Sequence, residues 1–268
     1  MSSFGQGKLP TNSHFICNFF ATKPSELTNI LFIQSRLRIE GSELLIKGVS
    51  LVFSKDLLTF ILGDDSMWFD ISIPINSTMP TYPSDPHFIA KPHKLGGVNS
   101  RVTLHHLELG THTGTHVDAP LHLFPDSTPI STISLDTFIG PCYVLSVDKF
   151  SLDLLPKLPQ NARRVLFKAN GELPLKPNWL DNYQGIPPEF TSELVKRELL
   201  LVGIDALSIE ERERPILETH QLLLEKNIII LEGLNLTSID DGWYFLSALP
   251  LSLTGLDGSP VRAILKKN

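Results

Sequence analysis

Residues 112 to 122 read HTGTHVDAPLH and place His112, His116, Asp118 and His122 within eleven positions. Imidazole nitrogens and carboxylate oxygens together suit zinc, manganese or iron(II). A donor set without cysteine points to a catalytic rather than a structural site. All four residues fall on even numbers, so an extended or looped segment would project them to one face. A helix would also bring His112 and His116 together, but Gly114, Pro120 and the β-branched positions disfavour one. Of the nine histidines in the chain, five lie between 105 and 122. Crowded imidazoles repel when protonated, so such a cluster needs solvent, carboxylates or a cation. A metal site, a catalytic base with helpers and a hydrogen-bonded polar loop are all open readings. The H-x3-H-x-D-x3-H spacing favours the metal.

A second constellation lies downstream. His220 falls in LETHQLLL, inside an expected helix, where a core or surface histidine is the plain reading. Glu232 closes the apolar run IIILEG. Burying that carboxylate without a partner would be costly, and a cation would serve as one. Other chemistries lack their marks. There is no G-x-S-x-G nucleophile elbow, phosphate loop or dinucleotide fingerprint. Cys142 sits in an apolar strand and reads as a packed residue rather than a nucleophile.

The elements that must position these groups alternate between strand and helix patterns, implying an α/β (mixed) domain. Strands are expected over 68–75, 102–109, 142–147, 165–168, 199–204 and 228–231, with a short turn and helix over 132–138. Helices are expected over 191–199, with Thr191 as N-cap, and over 216–226, with Pro215 at its start and Asn227 as a left-handed end. Residues 1–66 stand apart: six basic and six acidic residues cancel there, so the whole net charge of −6 arises from residue 67 onward. Apolar runs between 35 and 62 show no clean period. Two readings are open, a small N-terminal extension packing on the main domain or a segment upstream of a natural start at Met67.

Composition bounds the partners. With 42% hydrophobic and 19% charged residues, the chain can bury a core. Its negative charge and lack of a basic stripe exclude nucleic acid and anionic membranes as expected partners. Phe15 to Ala21 is too short and polar for a secretory core, and the apolar run 57–62 is far below a membrane span. Two cysteines, Cys17 and Cys142, form no disulfide framework, which fits a cytoplasmic protein.

From Trp68 onward the chain resembles the cyclase-type metal-dependent hydrolases, the family that includes bacterial kynurenine formamidase (arylformamidase). GTHTGTHVDAPLH carries the resemblance. WFDISIPI with PTYPSDP, FIGPCYVLSV, LLLVGIDALSIE and ETHQLLLEKNIIILEGL follow in order. The resemblance implies a swivelling β/β/α-type fold over 67–268 and a homodimer or higher homo-oligomer. It also implies two divalent metal ions, Zn2+ or alternatively Mn2+. His112, His116 and Asp118 would hold one metal. Asp118 would bridge to a second, completed by His220, with Glu232 touching both. His122 matches the family's catalytic histidine. The implied reaction is hydrolysis of N-formyl-L-kynurenine, with His122 passing a proton to the leaving arylamine. Tyr82 and Ser84 stand where the family usually carries Trp and Gly. Tyr82 can still stack on the small-molecule substrate's ring. An isatin-hydrolase-like lactam hydrolase and a non-catalytic metal-binding homologue are the alternatives.

Overall fold

The computed structural model describes residues 67–83, 85–93, 102–171, 175, 183–211 and 216–267, together with the backbone of 38–40, 43–46 and 49–52. The chain divides into two compact units, Met1–Asp65 and Ser66–Asn268. In the first, β1 (Arg38–Glu40), β2 (Glu43–Ile46) and β3 (Val49–Val52) form an antiparallel sheet in that order. Strands this short cannot establish a hydrophobic period, which is why none was legible between 35 and 62.

The second unit holds the remaining strands. These are β4 (Met67–Asp70), β5 (Ile89–Pro92), β6 (His105–Glu108), β7 (His116–Asp118), β8 (Ile139–Ser146) and β9 (Arg164–Lys168). They continue as β10 (Leu201–Ile204), β11 (Ile229–Glu232), β12 (Gly242–Ser247), β13 (Gly258–Pro260) and β14 (Ile264–Lys267). Two short helices, α1 (Pro188–Leu194) and α2 (Glu218–Leu224), complete it. Nine strands form one mixed sheet in the order β13-β7-β11-β10-β9-β8-β12-β14-β4. The middle four, β11 to β8, are parallel, and the flanking pairs are antiparallel.

Of these, β9, β10 and β11 are buried on both faces, which explains their continuous apolar runs. Val165, Phe167, Val202, Ile204 and Ile230 pack with Phe190 and Leu194 of α1 and Leu223 and Leu224 of α2. Their neighbours Leu166, Leu201, Ile229 and Leu231 pack on the other face with Val117, Val144 and Leu265. Each such side chain stabilises the fold by about 1.5–3 kcal/mol relative to exposure. The sheet curls on itself: Ser72, just past β4, pairs with Leu234, just past β11. The Ile71 N–H donates to the Ala263 carbonyl at 3.0 Å. The mixed α/β fold expected from the element pattern is the one observed.

Several element boundaries differ from expectation. The strand over 68–75 stops at Asp70, because the Ser72 N–H turns to the Asp70 carboxylate and the Ile73 N–H to Thr115 Oγ1. The strand over 102–109 is shorter and does not enter the main sheet. It pairs as β6 with β5, and every residue of both strands is exposed. Thr191 is not an N-cap. α1 begins earlier, at Pro188, whose missing N–H costs nothing in a first turn, and Thr191 Oγ1 donates back to the Pro187 carbonyl at 3.0 Å. α2 is shorter than 216–226, and Asn227 ends it with φ of 56°, the left-handed end expected. Residues 132–138 form successive 3-10 turns. Cys142 is fully buried and burial pushes its thiol pKa up, so it packs rather than reacts. Cys17, Ser84 and Pro215 lie outside the described residues.

Candidate metal centre and pocket

The site forms beyond the carboxyl ends of β10 and β11, the usual place for ligands in sheets with parallel strands. β7 lies between β11 and β13, with His116 opposite both Glu232 and Pro260. Directly opposed residues on antiparallel strands share a face. His116, Asp118 and Glu232 therefore face the side where α2 brings His220. The sequence left an extended and a looped course open for the motif, and the chain uses both. Only His116 and Asp118 lie on a strand. His112 precedes it in a turn, and His122 ends the 3-10 turn Pro120–His122. Gly114 makes the first bend with φ of 71°, and a Cβ there would meet Ile75 at 2.9 Å.

The six expected residues nevertheless come together. His112 Nδ1 lies 2.7 Å from Asp118 Oδ1. His116 Nε2 is 3.4 Å from the same oxygen and 3.3 Å from Glu232 Oε2. His220 Nε2 is 3.2 Å from Glu232 Oε1 and 3.7 Å from Asp118 Oδ2. The outward nitrogens of these three histidines also have partners. His116 Nδ1 donates to the Gly114 carbonyl at 2.9 Å, His220 Nδ1 to Glu210 Oε2 at 3.0 Å, and His112 Nε2 to Asp257 Oδ2 at 2.8 Å. His122 donates from Nδ1 to the same Asp257 oxygen at 3.3 Å, and its ring centroid lies 4.2 Å from that of His112.

Burial disfavours charge on every member, yet the histidines and carboxylates hold one another ionised. Against its own burial, His112 is pushed up to about 11 by the charge of Asp118 and its hydrogen bonds to Asp118 and Asp257. His220, also against burial, is pushed up to about 10 by hydrogen bonds to Glu210 and Glu232. His116 rises too, Glu232 and Asp118 outweighing burial. Asp118 and Glu232 are lowered despite burial by the neighbouring histidines. Protons here do the work that a cation can do, which is the behaviour of a ligand set.

The donor set fits a metal in three respects. Asp118 Oδ2 is buried and accepts no hydrogen bond, leaving a lone pair aimed into the cluster. Two triples of donor atoms lie within 4.8 Å of one another: His112, Asp118 and His122, and His116, Asp118 and Glu232. Asp118 belongs to both, so it has the position of a bridging carboxylate. His122, expected to act as an acid/base, is also within reach of the first triple. Each inward histidine has an outer acceptor that fixes its ring, the arrangement that orients metal-binding imidazoles.

The scaffold behind the cluster is tight. Thr115 Oγ1 donates to the Gly233 carbonyl at 2.6 Å and accepts the Ile73 N–H at 2.9 Å, joining three segments. Gly233 has φ of 67°, and a Cβ on it would lie 2.4 Å from the Gly114 carbonyl oxygen. Glu232 Oε1 also accepts the Ile209 N–H at 2.6 Å. Sequence reasoning missed two participants, Glu210 and Asp257. Glu210 ends the mixed stretch DALSIE, with no apolar run before it like that before Glu232, and gives no signal. Asp257 precedes a glycine and reads as an ordinary turn residue.

Above the cluster opens a cavity of about 290 Å³. Its rim is Met79 to Pro83 and Asp85 on one side, with Leu207, Ser208 and Leu217 on the other. Tyr82 lines it and is 42% exposed. Burial holds the Asp85 carboxyl above the usual range.

Residues 69–211 match the model of the Cyclase family. This chain belongs to that family. Among curated relatives, the kynurenine formamidase of Paracidovorax citrulli (strain AAC00-1) is 34% identical over 209 residues, covering 75% of this Cyclase-family chain and 96% of the relative. The kynurenine formamidase of Salinibacter ruber (strain DSM 13855 / M31) is 40% identical over 172 residues, covering 62% and 81%. Among solved structures, one described as a predicted metal-dependent hydrolase from Bacillus stearothermophilus is 30% identical with a TM-score of 0.63, covering 76% of this chain and 99% of that one. An isatin hydrolase bound to thioisatinate shares the fold at a TM-score of 0.68 and 20% identity, covering 79% and 96%. No described helix of this family member is long and apolar enough to cross a membrane.

Proposed function

We propose that this chain is a metal-dependent arylformamidase, an amidohydrolase that converts N-formyl-L-kynurenine to L-kynurenine and formate in tryptophan catabolism. The observation that carries the reading is the buried cluster itself: three histidines, Asp118 and Glu232 converge beneath a cavity. The similarity to two kynurenine formamidases supports the substrate. His112, His116 and Asp118 would hold one divalent cation. His220 and Glu232 would complete a second site with Asp118 between them. Zinc is the proposed metal and manganese the alternative. The bound metals would activate water and polarise the formyl carbonyl.

The chain's own residues account for the remaining work. The rim holds the aromatic amide over the cluster, with Tyr82 offering a flat face for the ring. Burial of the cluster keeps bulk water from competing with the substrate's carbonyl. His122 stands at the mouth of the cluster and passes a proton to the departing arylamine nitrogen. An aniline-type nitrogen leaves more easily than an alkyl amine, which suits this substrate. We assign the enzyme to the cytoplasm as a homodimer acting on a small molecule, with no nucleic-acid or membrane partner.

The test is to strip the protein of metal, reload it separately with zinc and with manganese, and assay N-formyl-kynurenine beside isatin. Kynurenine release dependent on either metal supports the reading. Release no faster than buffer, with isatin opened readily, would replace it by the lactam-hydrolase reading, which the shared fold of isatin hydrolases favours.

A further inference from the structure

Asp257 belongs to no motif that pointed to the site, yet it is tied to it from every side. It stands in the loop that leads into β13. Its backbone carbonyl accepts the Ala119 N–H at 2.8 Å, and the preceding Leu256 carbonyl accepts the Ile130 N–H at 2.9 Å. Its Oδ1 accepts the Thr111 hydroxyl at 3.0 Å. Its Oδ2 is thereby aimed at two rings at once, His112 Nε2 at 2.8 Å and His122 Nδ1 at 3.3 Å. The next residue, Gly258, leaves no room for a side chain: a Cβ there would lie 2.8 Å from the Val117 carbonyl oxygen and 3.0 Å from His112 Cε1. The loop is therefore built flush against the His112 ring.

An ionised carboxylate only accepts hydrogen bonds, so both nitrogens facing Oδ2 must carry hydrogen. A neutral imidazole carries one N–H. Its other nitrogen then presents a lone pair. His112 is the exception, because its Nδ1 faces the Asp118 carboxylate at 2.7 Å and donates as well. For His122, whose Nδ1 faces Asp257, the lone pair is on Nε2. We infer that Asp257 is a positioning residue that fixes, through the carboxylate oxygen it also offers to His112, the tautomer of the proton-transferring His122. The His122 ring would otherwise be free to present the wrong nitrogen, and it lies only 4.2 Å from that of His112. Asp257 thus couples the metal-holding and proton-moving halves of the motif. This rests on the proposed role of His122 in formamide hydrolysis.

Two measurements on the full-length, zinc-loaded protein decide it. The first needs no substrate: long-range proton–nitrogen NMR of ¹⁵N-histidine-labelled protein near pH 8. The wild type should show His122 as the Nδ1–H tautomer, with that assignment lost or mixed in Asp257→Asn. His122 as Nε2–H in the wild type would overturn the inference. The second is a double-mutant cycle with N-formyl-kynurenine. Asp257→Asn should lower kcat about 10- to 100-fold with KM within about threefold, the pattern of a lost tautomer. Combined with His122→Ala it should cost no further turnover, within about twofold. An undiminished loss in that background would show that Asp257 acts elsewhere and overturn the inference. Full turnover by His122→Ala alone would instead overturn the proton-transfer reading. Thr111→Val, which leaves the carboxylate in place but unclamped, should reproduce a smaller part of the kcat loss; an Asp257→Asn defect matched by a lower urea midpoint, with Thr111→Val unaffected, would reduce Asp257 to a structural residue.

Discussion

The floor and the rim of the cavity are built on different principles. On the floor, His116, Asp118, His220 and Glu232 are each at most 4% exposed, and three strands, a helix and two loops converge to hold them. The rim, Met79 to Pro83 with Asp85, is rich in proline, and its Tyr82 is 42% exposed. A floor of that kind fixes geometry to fractions of an ångström. A rim of that kind sets which molecules may sit above it. On the proposed function, the floor carries the reaction and the rim selects the substrate.

Substitutions should separate the two. The largest effect should come from His122→Ala, which lowers kcat about 10²- to 10⁴-fold while metal content by elemental analysis stays at the wild-type level. Metal lost along with turnover would place His122 among the ligands, as its membership of the first donor triple allows. Next comes Gly233→Ala. Its Cβ would press on the Gly114 carbonyl from a left-handed backbone, costing about 3 kcal/mol or more, read as a lower urea midpoint of the metal-free protein. A stability within about 0.5 kcal/mol of wild type would mean that the floor yields more readily than its packing implies.

Glu210→Gln tests whether the outer acceptors belong to the floor. It keeps an oxygen for the Thr219 and His220 N–H groups but removes the charge behind His220 Nδ1. Zinc affinity, measured by competition with a chelator, should fall about 10- to 100-fold. The smallest effect belongs to the rim. Tyr82→Ala should raise KM about three- to tenfold, the loss of one aromatic contact, and leave kcat and zinc affinity unchanged. If Tyr82→Ala lowered zinc affinity, the division between rim and floor would fail.

The same division explains what was legible in the chain. The parallel strands announced themselves because burial on both faces demands unbroken apolar runs, as in LLLVGI and IIILEG. The 112–122 motif was legible because its donors are close in sequence and scarce elsewhere. What it could not disclose was how the donors are brought to bear. The even spacing left an extended and a looped course open, and the chain bends at Gly114 and again at Pro120 and uses a strand only between His116 and Asp118. His220 and Glu232 had plain readings by themselves and were connected to the motif by family resemblance. Glu210 and Asp257 left no trace, because an acceptor for an imidazole can be any carboxylate that tertiary structure delivers. The β5–β6 hairpin misled in the opposite direction. Alternating VTLHHLEL reads as a half-buried strand, and only the structure shows both of its faces open.

The pairing of β7 with β11 and β13 has a consequence for how the enzyme is made. The motif-bearing strand finds both neighbours in the C-terminal part of the chain, more than a hundred residues later. While that part is still being synthesised, HTGTHVDAPLH can offer a passing ion only a loose, partial grip. Contacts so distant in sequence form late in folding. An ion held by this cluster would thus be chosen by a nearly finished sheet rather than by a nascent peptide.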